Sequence, residues 1–365
     1  MSRQCVVITN PMIAANKSAE VTLSKFLRVI SVTYDDITVV GGNVTVEKDL
    51  QNIRIQSIPI QRSLQKIKRI WDVIGIQFKM AKRARPLFQK DVPVYFWVGD
   101  KMIVPYLYAK RRKADIRYFI YGNVLKEGSP NLFTKLSAKV IVFMANHANS
   151  VCVESPGVLH EWDGLVQNKK TRTIHLYTQI GEPTPLYERE KTIGMICRLT
   201  PGKHVTECIR AFAELHKQKP EYRLEIVGSG RQEEECRALI KALNAEDYID
   251  MLGWVEHEKI LQTTRKWQYL LFPSDTEGMP NSVLEMMGQG IPVIAAPVGG
   301  INDIIQDRIN GWVMKDCSVP GIESALTNAI EGSKDYLEIA ENARKTVIYE
   351  YCLEAAGKLA LQQCM

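Results

Sequence analysis

Between Thr192 and Ala296, short apolar runs alternate with helical stretches, and only a few residues connect them. Thr192-Ile-Gly-Met-Ile-Cys197 reads as a buried strand, and the spacing predicts a helix over 205–217 with Ile209, Ala213 and His216 along one side. A second strand follows over 222–228, ending in Gly-Ser-Gly. After it come a helix over 233–243, a strand over 249–252, a helix over 258–265 and the apolar strand 269–272. A helix over 281–289 leads into the run 291–296 and the turn Pro297-Val-Gly-Gly300. Alternation of this kind with tight connections implies a parallel sheet covered on both faces. Such a sheet takes its ligands beyond the carboxyl ends of its strands, and Gly228–Gly230, Glu277 and Gly299–Gly300 all fall at that edge.

The first half is harder to read. Strands are expected over 5–9, 37–40, 94–98, 118–121 and 140–144, with helices between them, and 182–189, two prolines among polar residues, reads as a linker. The expected division is a first domain over 1–185, a second over 186–345 and a last helix over 346–365. Charge divides the same way. Residues 1–188 hold 27 Lys+Arg against 15 Asp+Glu and the remainder 20 against 26, so +12 and −6 make up the net +6. A basic first domain is suited to an anionic partner.

With 365 residues the chain can bury two α/β cores. Cys5-Val-Val-Ile8 is far too short for the apolar core of a signal peptide, and no segment approaches the ~18 apolar residues of a spanning helix. The eight cysteines show no C-x-x-C spacing and several sit in apolar runs, as reduced core thiols of a cytoplasmic protein would.

Chemistry concentrates in Ser274-Asp-Thr-Glu-Gly-Met-Pro-Asn-Ser-Val-Leu-Glu285. Glu277 falls in the loop before a helix that Asn281 is placed to cap, and Glu285 on that helix. Free N–H groups and the positive dipole end of the helix suit a phosphate, while carboxylates accept hydrogen bonds from sugar hydroxyls. The same pattern also describes a solvated loop glutamate and a glutamate that complements the helix dipole. The context favours a site: Gly278 permits close backbone approach, Pro280 stiffens the turn, and the loop lies at the ligand edge. Directly after the first strand of this half, Arg198 and Lys203 flank the Pro-Gly turn of Cys197-Arg-Leu-Thr-Pro-Gly-Lys203. Both cations can reach one diphosphate, or both can be solvated loop residues.

Taken together, these motifs resemble the second domain of retaining glycosyltransferases of family four, which carry an E-x7-E motif. The resemblance runs from about Lys191 through Asn310-Gly-Trp-Val313, about a third of the chain. It implies a GT-B fold: two Rossmann-like α/β domains facing across a cleft, with the C-terminal helix crossing back to the first. It also implies roles. Arg198 and Lys203 would hold the donor diphosphate, Glu277 would contact donor-sugar hydroxyls and Glu285 the ribose. Backbone amides around Met279 to Val283 would cap the phosphates, and Gly228, Gly278, Met279, Pro280, Asn281, Ser282 and Val283 would line the substrate. No cofactor is implied, and protein cations would replace a metal ion.

The first half departs from that family. The expected glycine-rich turn is replaced by Thr9-Asn-Pro-Met-Ile-Ala-Ala-Asn16, and the histidine expected near Tyr118-Phe-Ile-Tyr-Gly-Asn123 is missing. His147 is a candidate substitute or an ordinary loop histidine. Asp35-Asp36 reads as a turn before a strand, without partner carboxylates for a metal.

In the basic stretch 61–90, Leu64, Ile67, Trp71, Ile74 and Phe78 recur at spacings of three and four. Arg62, Lys66, Lys68, Arg69, Lys79, Lys82, Arg83, Arg85 and Lys90 surround them against the single acid Asp72. Either this helix buries its stripe in its own core or, with Lys110-Arg-Arg-Lys113, it settles on anionic lipid. Nucleic acid is not expected, because stacking aromatics and recognition motifs are missing.

The expectation is a cytoplasmic hexosyltransferase, peripheral on the inner face of the membrane. It would move a sugar from a nucleotide-diphosphate sugar to a lipid-linked or membrane-attached glycan, in cell-envelope polysaccharide or glycolipid synthesis. Two alternatives stay open: a catalytically silent nucleotide-sugar binder and a sugar-nucleotide epimerase of the same fold.

Overall fold

A computed structural model describes residues 3–9, 17–50, 52–60, 66–99, 101–126, 130–332 and 335–364. Residues 10–16 and 61–65, Leu64 included, lie outside the described residues, as do the side chains of 66–71 and 73. The chain forms two units, one made of residues 1–121, 131–177 and 353–365, the other of 122–130 and 178–352.

In chain order the first unit contains β1 (Gln4–Thr9), α1 (Lys17–Ser31), β2 (Asp36–Gly42), β3 (Ile53–Ile58), α2 (Lys66–Ala84) and β4 (Pro93–Trp97). Then come α3 (Ile103–Arg111), β5 (Asp115–Phe119), α4 (Leu132–His147), β6 (Ser150–Val153), α5 (Pro156–Glu161) and β7 (Thr171–Thr173). Its strands pair in parallel in the order β3-β2-β1-β4-β5-β6-β7. Phe26, Tyr95, Trp97 and Phe119 centre its core.

The second unit begins with β8 (Thr192–Ile196), α6 (Val205–Gln218), β9 (Arg223–Val227), α7 (Glu233–Ala242), β10 (Ile249–Gly253), α8 (His257–Thr264) and β11 (Tyr269–Phe272). It continues with α9 (Asn281–Gly288), β12 (Val293–Ala295), α10 (Ile301–Ile304), β13 (Gly311–Val313), α11 (Val319–Glu331) and α12 (Tyr336–Glu350). The order is β10-β9-β8-β11-β12-β13, again parallel. An apolar cluster lies on each face: Val205, Cys208, Ile209, Phe212 and Leu215 of α6 enter one, and Val283, Leu284, Met286 and Met287 of α9 the other.

Several expectations are corrected. The run 140–144 is not a strand but the second half of α4, which starts where the Asn131 side chain accepts the Thr134 N–H at 2.9 Å. Its β-branched residues mimic a strand, but the cap and the surrounding helical pattern decide. The segment 182–189 is no free linker. Thr184 N–H donates to Gln289 O at 3.2 Å and Arg189 Nη2 to the same oxygen at 3.2 Å, which ties it to the second unit. The units therefore divide at 177/178 rather than 185/186. Because α12 packs on α9, the chain returns to the first unit only with α13 (Leu353–Cys364), beside α1. Asp35 accepts the Arg3 N–H at 2.8 Å and Asp36 pairs with Arg54, so the pair closes the turn into β2. All eight cysteines are free thiols, and no described helix is long and apolar enough to cross a membrane.

Candidate functional site

The site grows from the point where the second sheet changes direction. β8 and β11 are neighbours, but the chain leaves β8 towards β9 and β11 towards β12, so the loops after them part and open a crevice. The first loop carries Arg198 and Lys203, the second Ser274 to Gly278. Arg198, Gly202, Lys203, Thr276, Glu277 and Gly278 line one cavity of about 130 Å³, with Gly122 of the 122–130 segment. Sequence reading named four of these residues from two separate motifs, and the fold brings them together.

Lys203 Nζ donates to Glu277 and, at 3.1 Å, to Ser274 Oγ, and it sits over the Phe272 ring, 5.6 Å from its centroid. The ion pair is shielded, each side chain 15% exposed, and neutral as a unit. The Arg198 side chain is exposed and makes no hydrogen bond or ion pair among the described residues, so its charge is the uncompensated one. A second tie fixes the two loops to each other. Asp275 N–H donates to Gly202 O at 3.0 Å, and His204 Nε2 lies 2.6 Å from Asp275 Oδ1. His204 reaches Asp275 from a left-handed backbone, φ 49°. Sequence reasoning missed His204 and Ser274, and the only available signal was that they adjoin Lys203 and the acidic loop.

α9 begins at Asn281 with Pro280 in the cap position, so the expected Asn281 cap is corrected. Pro280 supplies a fixed φ and leaves the Asn281 side-chain oxygen buried, without a hydrogen-bond partner among the described residues. The Val283 and Leu284 amides turn back to Pro280 O at 3.1 and 3.3 Å. The amides of Asn281 and Ser282 are then the ones presented at the positive end of the helix. Met279 and Val283 bury their side chains in the apolar cluster, and the Val283 N–H is already given to Pro280 O, so the expected Val283 amide is not open to a phosphate. Gly278 O accepts the Gly300 N–H at 3.0 Å and couples this loop to the turn after β12.

Glu285 is 8% exposed on α9, with His257 Nε2 at 3.6 Å from its Oε1. His257, at the start of α8, is another neighbour that sequence reading did not single out. Gly228, at φ +136°, ends β9 so close to β8 that a Cβ would lie 1.8 Å from Cys197 O. Burial pushes the adjacent Cys197 thiol up to about 12, so it stays protonated beside Lys203.

A larger cavity of about 610 Å³ is lined by His204, Glu207, Ser274, Asp275, Lys315 and Asp316 among others. It brings three carboxylates to one lysine and one histidine, which disfavours an anion. The smaller cavity has two cations against one carboxylate and a helix N-terminus nearby, and it suits a diphosphate. His147 is elsewhere: it ends α4, where the chain turns into the amino end of β6, with Nδ1 2.8 Å from Phe143 O. That position excludes it from the carboxyl edge of its sheet.

Residues 178–346 match the family described as glycosyl transferases group 1. An uncharacterized glycosyltransferase of Haemophilus influenzae is 28% identical over 194 residues, which is 51% of this chain and 54% of the relative. Lipopolysaccharide 1,6-galactosyltransferase of Escherichia coli is 35% identical over 121 residues, 32% of this chain and 34% of the relative. The chain thus spans about half the length, or less, of these curated relatives. Among solved structures, Anabaena Alr3699/HepE in complex with UDP aligns over 99% of both chains with a TM-score of 0.75 at 18% identity. That likeness shows the fold, two Rossmann-like parallel α/β units of the GT-B type.

Proposed function

We propose that this chain is a retaining glycosyltransferase of family four, moving a hexose from a nucleotide-diphosphate sugar to a lipid-linked or membrane-attached glycan. The observation that carries the reading is the meeting of Arg198, Lys203 and Glu277 in one small cavity beside the start of α9. The UDP named with the Anabaena structure and the lipopolysaccharide named with the Escherichia coli enzyme support the donor and acceptor classes.

In this mechanism the diphosphate enters the cavity, Arg198 grips it with a two-pronged guanidinium, and Lys203 and the Asn281 and Ser282 amides meet its remaining oxygens. These groups stabilise the charge that develops as the bond between the anomeric carbon and the phosphate oxygen breaks. Glu277 accepts hydrogen bonds from the sugar hydroxyls and holds the ring in place, which alone lowers the barrier by several kcal/mol. Glu285, further along α9, takes the ribose hydroxyls. The departing phosphate accepts the acceptor's proton on the same face, which retains the configuration. Cations of the protein neutralise the leaving group, so turnover proceeds without a divalent metal and survives EDTA. The acceptor reaches the basic first unit at an anionic membrane surface, contacted through 61–90 and 110–113.

A thermal-shift panel of UDP-, GDP- and ADP-sugars tests the donor. A true donor at 100 times its Kd adds about 2.7 kcal/mol to stability, and no shift with any of them sinks the reading. With the donor identified, Lys203→Ala should weaken its binding and turnover together by roughly 10- to 100-fold. It removes charge-assisted hydrogen bonds worth about 1.5–3 kcal/mol and leaves Glu277 to repel the phosphate. Donor isomerisation without an acceptor would redirect the assignment to the epimerase, and donor binding with neither hydrolysis nor transfer in an acceptor screen to the silent binder.

A further inference from the structure

α4 ought to be a surface helix with polar outer positions, yet Leu132, Leu136 and Phe143 lie along its solvent side, with Lys139 between the last two. Leu132 is 85% exposed, Phe133 70% and Leu136 59%. Beside it α3 exposes Leu107 and Tyr108. The two helices run side by side in the same direction: Tyr106 Oη donates to Met144 O at 2.8 Å, Lys101 Nζ lies 5.8 Å from the Phe133 ring centroid, and Lys110 donates to His147 O. Neither helix contains an acidic residue, whereas Lys110, Arg111, Lys135 and Lys139 are all exposed.

On the other flank of α3, α2 continues the pattern. The Gln77 side chain meets the Val104 N–H at 3.1 Å, and Ile74 and Phe78 face solvent among Lys79, Lys82 and Arg83. Ile74 and Phe78, the two described residues of the α2 stripe, are thus not buried in its own core. Protein interfaces are depleted of lysine, but lysines around an apolar stripe are what an anionic bilayer surface attracts. As a crossover helix, α4 starts at the carboxyl edge of its sheet, the edge where a substrate would bind.

We infer that the apolar stripe of α4, with Leu132 and Phe133 at its tip, is inserted into the interface of an anionic lipid bilayer, with α2 and α3 supplying the surrounding cations. This deepens the membrane reading of the basic stretch and rests on it. It locates the insertion on a helix with only two lysines and turns the substrate edge of the first unit towards the lipid.

The test is flotation of the full chain with vesicles of phosphatidylglycerol and phosphatidylethanolamine, against phosphatidylcholine alone. The wild type should float with the anionic vesicles only. The triple variant Leu132→Ser, Phe133→Ser, Leu136→Ser should lose at least tenfold in partitioning, and added salt should not restore it. The variant Lys79→Glu, Lys82→Glu, Arg83→Glu should weaken binding in a salt-dependent way. Equal partitioning of the serine variant and the wild type overturns the role of α4 while leaving the basic-stretch reading intact, and no flotation of any form overturns both. A wild-type dimer that the serine variant converts to a monomer, without lipid binding, would make the stripe an interface between copies and also overturn the proposal. Donor-induced thermal shift, measured in parallel, should be equal in all three proteins, so failure of the donor reading is seen separately.

Discussion

A lysine ammonium has three N–H donors, and Glu277 and Ser274 engage Lys203 with two of them. One remains for a phosphate, and the carboxylate partly cancels the charge that would attract it. Glu277 therefore works against binding of a bare diphosphate while orienting the sugar. Replacing it with glutamine should separate these effects. By calorimetric titration, Glu277→Gln should bind the nucleoside diphosphate as tightly as the wild type or more tightly, while kcat falls on the order of 100-fold. Weaker diphosphate binding by the variant would mean that Glu277 only holds Lys203 in place. A different residue, His175, sets an acid limit on stability. Burial lowers its pKa, so the folded chain resists protonating it while the unfolded chain accepts a proton below about pH 6.5. Stability should decline as pH falls from about 7 to 5, and His175→Gln should flatten that slope in thermal melts.

At the scale of elements, the turn between β9 and α7 is the most demanding. Gly228→Ala would require φ +136° and place a methyl group on Cys197 O. A loss on the order of 3 kcal/mol is expected in urea unfolding, with donor binding weakened because the turn displaces the loop that carries Arg198. Which elements were legible in the sequence follows from their burial. Tyr269–Phe272, all buried, was placed to the residue, and α6 to within a residue, because fully buried strands and amphipathic helices write their period into the chain. β3 was missed although Ile53 and Ile55 alternate with Arg54 and Gln56, because the edge strand buries only Ile58 and has no continuous apolar run. Asn281 was misassigned because asparagine favours a cap in general, whereas Pro280 holds that position here. The cations and carboxylates of the site were legible by motif, but the Lys203–Glu277 and His204–Asp275 ties were not, since they join loops 74 and 71 residues apart.

At the scale of the whole chain, two units with separate cores should unfold in separate calorimetric steps. The nucleoside diphosphate should raise only one of them, because the cavity with Arg198, Lys203 and Glu277 belongs to the second unit. A single transition that shifts as a whole would show strong coupling instead. The first unit depends on α13. Ala356, Ala360 and Cys364 enter its core, and Arg117 reaches Tyr34 Oη at 2.9 Å, Tyr95 Oη at 2.7 Å and Cys364 O at 3.3 Å. Because α13 follows residues 178–352 in the chain, the ribosome makes the whole second unit before it can supply the piece that closes the first. At about 5–20 residues per second that interval lasts roughly ten to thirty-five seconds. Throughout it, the groove on α1 where α13 will lie stays open on the nascent chain. The unit made first is finished last, and its assembly in a cell should be the step most sensitive to chaperone supply.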